Sequence, residues 1–179
     1  MINRASIMKK LVSALTGFIM SLTLLITSEL VFAQEAPQCD GKAATIYVDG
    51  GKIVGGPDNG KPYAGMLKGT PGDDVIVGTS GDDMIMGMGG NDTICGGSGD
   101  DDISGGPGDD LIEGGPGSDM IRGGPGNDVL EGGPGDDQVK GDAGDDHIEG
   151  GPGSDEIEGG EGKDKLEGGP GDDQIKGGT

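Results

Sequence analysis

From Gly69 to Lys176 one aliphatic residue returns every nine positions: Ile76, Ile85, Ile94, Ile103, Ile112, Ile121, Leu130, Val139, Ile148, Ile157, Leu166 and Ile175. In a triplet such as Val129-Leu130-Glu131 it stands between two outward places, which is the pattern of a short strand with one side chain turned inward. The six residues before each triplet are rich in glycine, which takes positive φ freely, and they read as a turn. One nonapeptide is then a turn plus a strand, and two of them make one coil of a solenoid.

The turn is as regular as the strand. In twelve uninterrupted copies the first and fourth places are always Gly, and the sixth is always Asp: Asp74, Asp83, Asp92, Asp101, Asp110, Asp119, Asp128, Asp137, Asp146, Asp155, Asp164 and Asp173. Pro occupies the third place in seven copies, where it fixes φ and lowers the entropy lost on ordering. Four fixed places in twelve copies exclude a disordered polyanion as the functional state. One aliphatic side chain in nine is little burial for so much backbone to order, and the stacked aspartates repel one another. A cation between them, its binding coupled to folding, resolves both problems.

These residues resemble the RTX, or hemolysin-type, calcium-binding repeat, whose pattern is Gly-Gly-x-Gly-x-Asp-x-aliphatic-x. The resemblance implies an all-β fold: a right-handed parallel β-roll of about six two-repeat coils, with Ca²⁺ between stacked turns along both edges. Carbonyls at places one and three then face one neighbouring turn and those at two and four the other. Each ion lies between copies two apart, from Asp74 with Asp92 to Asp155 with Asp173, giving about ten ions if every gap is filled. The expected ligands are the twelve sixth-place aspartates with turn carbonyls such as those of Gly97, Gly99, Gly106, Gly108, Gly115, Gly117, Gly124, Gly126, Gly133 and Gly135. Oxygen-only ligation argues against zinc or copper, and a many-oxygen cage favours Ca²⁺ over Mg²⁺. Thr70, Thr79, Met88 and Asp142 replace Gly at the second place, a change expected to be tolerated because the ligand there is a carbonyl. Lys163 and Lys165 flank Asp164, so the eleventh copy is expected to be the weakest site.

Composition agrees with a cation-dependent fold. The chain of 179 residues carries a formal net charge of −21, with two Phe, two Tyr and no Trp, which disfavours nucleic acid and anionic membranes as partners. Residues 1–33 have the layout of a secretory signal: Arg4, Lys9 and Lys10, the apolar run Leu11 to Thr27, and Val31-Phe32-Ala33 before the expected cleavage. An uncleaved anchor is the alternative. After cleavage no membrane insertion is expected. Export permits a disulfide, so Cys39 and Cys95 are read as one bridge, with two free thiols as the alternative.

Residues 34–68 are read as a cap over the exposed end of the roll, which spans 69–179, with Ala44 to Val48 as a strand and Met66 to Lys68 in strand register. Ninth places form two outward rows: Val77, Cys95, Glu113, Glu131, Glu149, Glu167 on one face, and Met86, Ser104, Arg122, Lys140, Glu158, Lys176 on the other. They suit solvated decoration, or self-association and surface contact. His147 is an outward residue, and no Ser or Cys nucleophile is placed with a base, so no enzyme is expected. The function expected is a secreted calcium-binding repeat protein. The alternatives are a structural or adhesive surface protein, or the repeat fragment of a larger secreted enzyme or toxin.

Overall fold

The computed structural model describes residues 36–179; the signal-peptide reading lies outside them. Two tight hairpins come first. β1 (Gln38–Cys39) and β2 (Lys42–Ala43) pair antiparallel around Asp40-Gly41, and β3 (Tyr47–Asp49) and β4 (Lys52–Val54) pair around Gly50-Gly51. All four turn residues have positive φ, between 48° and 75°, as a two-residue hairpin matching the strand twist requires.

Thereafter the chain alternates between two parallel sheets, and no helix occurs among the described residues. The strands are β5 (Met66–Lys68), β6 (Val75–Val77), β7 (Met84–Met86), β8 (Thr93–Cys95), β9 (Asp102–Ser104), β10 (Leu111–Glu113), β11 (Met120–Pro125), β12 (Val129–Glu131), β13 (Gln138–Ala143), β14 (His147–Glu149), β15 (Glu156–Glu161), β16 (Lys165–Glu167) and β17 (Gln174–Gly178). Even-numbered strands from β6 form one six-stranded sheet, and odd-numbered strands from β5 form a seven-stranded one. Register advances by one coil per rung, so that Ile94, Ile112 and Leu130 stack in line. The molecule is a parallel β-solenoid of about six turns.

The core is a single file of aliphatic side chains. Leu67, Ile76, Ile85, Ile94, Ile103, Ile112, Ile121, Leu130, Val139, Ile148 and Ile157 are each at most 2% exposed. The file does not run to the last copy: Leu166 is only partly buried and Ile175 is 50% exposed. No later coil of the described chain covers their outer side, so the rule of one buried aliphatic per copy fails there.

At the other end the first residues supply the missing rung. Ile46 bridges in parallel to Ile76, Val77 N–H donates to Ile46 O at 3.0 Å, and Ile46 and Ile53 join the core. This corrects the strand expected over Ala44 to Val48: Thr45 and Ile46 belong to the roll's ladder, and the hairpin strand starts at Tyr47. Cys39 and Cys95 are disulfide-bonded, with Cα atoms 5.8 Å apart, tying the first hairpin to the third repeat copy.

Stacking explains the invariant glycines better than turn freedom alone. A methyl at Gly123 collides with Asp128 Oδ2 of its own turn, and one at Gly126 collides with the Gly108 carbonyl of the preceding coil. Met88 and Asp142 stand at second places with φ of 88° and 78°, so both substitutions fit only in backbone that L side chains rarely adopt. Thr70 and Thr79 avoid that strain, since neither has positive φ.

Candidate metal centre

Strand and turn together hold the sixth-place aspartates in two files, one per edge of the roll. One file runs Asp74, Asp92, Asp110, Asp128, Asp146, Asp164; the other runs Asp83, Asp101, Asp119, Asp137, Asp155, Asp173. Within a file each N–H donates to Oδ1 of the next aspartate, from Asp74 to Asp92 at 2.8 Å through Asp101 to Asp119 at 2.8 Å to Asp155 and Asp173 at 3.1 Å. Asp74 to Asp155 are buried, whereas Asp164 and Asp173 are half-buried.

The second carboxylate oxygen is the unusual atom. In Asp92, Asp101, Asp110, Asp119, Asp128, Asp137, Asp146 and Asp155, Oδ2 is buried without any hydrogen-bond partner. A buried, unpaired anionic oxygen is costly, and here it recurs at every interior rung. Burial accordingly pushes Asp110 up to about 7, and Asp92, Asp101, Asp119, Asp128 and Asp137 up to about 6. The N–H bond from the preceding coil opposes this shift, and neighbouring aspartates add to it.

Turn carbonyls divide as the repeat pattern suggests. Those at places one and three face the preceding coil: Gly97 N–H donates to Gly114 O at 3.1 Å and Gly99 N–H to Pro116 O at 3.0 Å. Those at places two and four aim at the following coil. The carbonyls of Gly97, Gly99, Gly106, Gly108, Gly115, Gly117, Gly126, Gly133 and Gly135 lie against the Cα of the glycine one coil on, and Gly124 stands in register with Asp142. Each gap thus brings carbonyl oxygens to the orphaned Oδ2. This donor set fits a hard cation that takes six or more oxygens. Among the described residues no three His, Cys, Asp or Glu side chains converge on one point, as expected where a gap contributes only two carboxylates and the backbone supplies the rest.

The first two turns depart from this scheme. Asp74 Oδ2 accepts Thr70 N–H at 2.7 Å and Thr70 Oγ1–H at 2.8 Å, and Asp83 Oδ2 accepts Thr79 N–H at 2.5 Å. The same hydroxyls lie 3.3 Å and 3.4 Å from the Gly72 and Gly81 carbonyls. Asp74 has no earlier aspartate to serve, and Thr45 Oγ1 stands 3.4 Å from its Oδ1 instead.

In the eleventh copy Lys165 Nζ is drawn away from Asp164, to Glu167 at 2.8 Å and to within 3.0 Å of His147 Nε2. Asp142 is paired with Lys140 Nζ at 2.8 Å and Arg122 Nε at 3.5 Å. On the opposite face burial pushes Glu131 up, with Glu113 and Glu149 adding to it.

A second ladder flanks the first. Fifth-place Asp and Asn side chains accept the N–H of the fifth place one coil on, as Asp73 Oδ1 does from Asn91 at 2.8 Å and Asp109 Oδ1 from Asn127 at 2.8 Å. The Gly-Gly-x-Gly-x-Asp-x-aliphatic-x pattern leaves that place unspecified. Its signal was present, because Asp, Asn or Ser fills it in every copy except the eleventh, which has Lys163.

No curated protein matches the chain. The family described as RTX calcium-binding nonapeptide repeat (4 copies) matches at residues 68–103, 96–130, 104–139, 122–157 and 149–179. Those matches span more than half of the sequence, and the chain belongs to the RTX calcium-binding repeat family, here as a β-roll with a stacked aspartate ladder.

Proposed function

We propose that this is an exported calcium-binding protein whose interior coils fold when Ca²⁺ enters the gaps between stacked turns, and that its role is binding rather than catalysis. The observation that carries this reading is the pair of files of buried Oδ2 atoms without a donor. In each gap the two aspartates supply the charge. Second- and fourth-place carbonyls of the earlier coil and first- and third-place carbonyls of the later one complete the donor set. Calcium supplies the positive charge that makes close stacking of these carboxylates favourable. First-place glycines such as Gly123 keep space beside Oδ2 clear. Without a cation the raised carboxylates oppose folding near neutral pH, which suits a chain that crosses a membrane unfolded and folds outside, where calcium is plentiful.

Export is supported by the layout of residues 1–33, by the Cys39–Cys95 disulfide, and by the prevalence of RTX repeats in secreted proteins. The test is circular dichroism of the chain during a calcium titration from chelator. A coil-dominated spectrum that converts to β-structure at or below about millimolar calcium is expected. A chain that stays coil there, or whose β signal is already complete in chelator, overturns the reading.

A further inference from the structure

The ten gaps are unequal, and the third place of the turn divides them. Ser98 N–H donates to Thr79 O at 3.2 Å, and Thr179 N–H donates to Gly160 O at 3.0 Å. In both cases a third-place N–H takes up the second-place carbonyl of the preceding coil. Ala143 and Glu161 also have an N–H at this place, and there the parallel ladder runs on through the turn: Gly124 pairs with Asp142, Pro125 with Ala143, and Ala143 with Glu161. This is why β11, β13 and β15 are six residues long where the strands of the other sheet have three.

Apart from Ser80 and Gly89 in the first copies, the third place elsewhere is proline, which has no N–H. Pro116, Pro134, Pro152 and Pro170 stand over the carbonyls of Gly97, Gly115, Gly133 and Gly151 on one edge, and Pro107 and Pro125 over those of Met88 and Gly106 on the other. These second-place carbonyls keep their lone pairs for another partner, in the same gaps as the orphaned Oδ2 atoms.

We infer that third-place proline marks the gaps that hold calcium tightly. Six gaps are opened in this way, those of Asp92/Asp110, Asp110/Asp128, Asp101/Asp119, Asp119/Asp137, Asp137/Asp155 and Asp155/Asp173. Four are not. In Asp74/Asp92 and Asp83/Asp101 the threonines already satisfy the lower carboxylate, and in Asp128/Asp146 and Asp146/Asp164 the continuing ladder engages the carbonyl. In those four gaps an ion has to compete with one more N–H donor for its oxygens than it does in the open gaps, where only first- and third-place carbonyls already accept an N–H. The Asp142 carboxylate beside the closed gaps is already paired with Lys140 and Arg122. The inference rests on the calcium reading above and adds that uptake has two classes, with proline as the determinant.

Native mass spectrometry of the full chain against free calcium, with calorimetry in parallel, tests it. Six ions are expected to bind first, and the remainder at free calcium at least about tenfold higher. The double substitution Ala143→Pro and Glu161→Pro moves the tight class from six toward eight. Pro134→Ala lowers it to five, while Pro71→Ala, which has no earlier repeat beneath it, leaves it at six. Ten equivalent ions in the wild type, or a tight class that neither Pro134→Ala nor the double substitution moves, overturns the inference and leaves the calcium reading standing. Absence of calcium uptake overturns both.

Discussion

Asp83 and Asp119 occupy the same place of the repeat on the same edge, two coils apart, and differ in what meets their second oxygen. Asp83 Oδ2 takes the N–H of Thr79, whereas Asp119 Oδ2 is buried with nothing. The first region closes its own hydrogen bonds and leans on Thr45, Ile46 and a disulfide; the second repeats an electrostatic deficit at every rung. One motif thus gives a turn that satisfies its own carboxylate or one that leaves Oδ2 unpaired, according to whether or not its second residue is Thr.

The largest test of this contrast is removal of calcium. Hydrogen exchange in chelator should leave amides around β1 to β6 protected longer than those of β9 to β15, and uniform loss along the chain would erase the distinction. Acidification should reverse part of that loss. Burial pushes Asp92, Asp101, Asp119, Asp128 and Asp137 up to about 6 and Asp110 up to about 7 in the folded roll, from 3.8 for an ordinary Asp, and raises Asp146 and Asp155 as well. The metal-free fold therefore binds more protons than the coil in that window. Its stability is greatest below pH 3.8 and is lost as pH rises through about 6 to 7, so β signal in chelator should grow from pH 7 to about pH 4.5.

Smaller effects separate the middle from the far end. With calcium bound, Ile121→Ala should cost about 2–5 kcal/mol in denaturant unfolding, because its neighbours in the file cannot close the cavity. Ile175→Ala, at a side chain already 50% exposed, should cost under about 1 kcal/mol. The finest test returns to the opening pair. Asp119→Asn should weaken the tightest calcium binding about tenfold while stabilising the metal-free roll, and Asp83→Asn should shift calcium binding by less than about threefold. Equal effects of the two substitutions on a calorimetric titration would show that Thr79 changes nothing.

Much of this could be read in the residues. The nine-residue period places strand, turn and core residue in each copy, and extended turn geometry foretells that carbonyls alternate between neighbouring coils. The first hairpins were missed: their turn signals are Asp40-Gly41 and Gly50-Gly51, but their strands are two or three residues long and give no periodicity to find. What no single copy contains is the relation between coils. Whether a carbonyl is free depends on the residue nineteen positions later, and whether Oδ2 is satisfied depends on how the second-place residue turns its backbone N–H, where Thr looks interchangeable with glycine. The exposure of Ile175 likewise depends on its place in the stack.

Interchangeable rungs carry a hazard of their own. Because every rung pairs in one register, a chain slipped by a whole coil recovers nearly all of its backbone bonds and core contacts, and it is correct everywhere except in its address. The Cys39–Cys95 bond resolves that ambiguity. A covalent tie between a hairpin that occurs once and a rung that occurs many times selects one alignment from a set the repeats cannot tell apart.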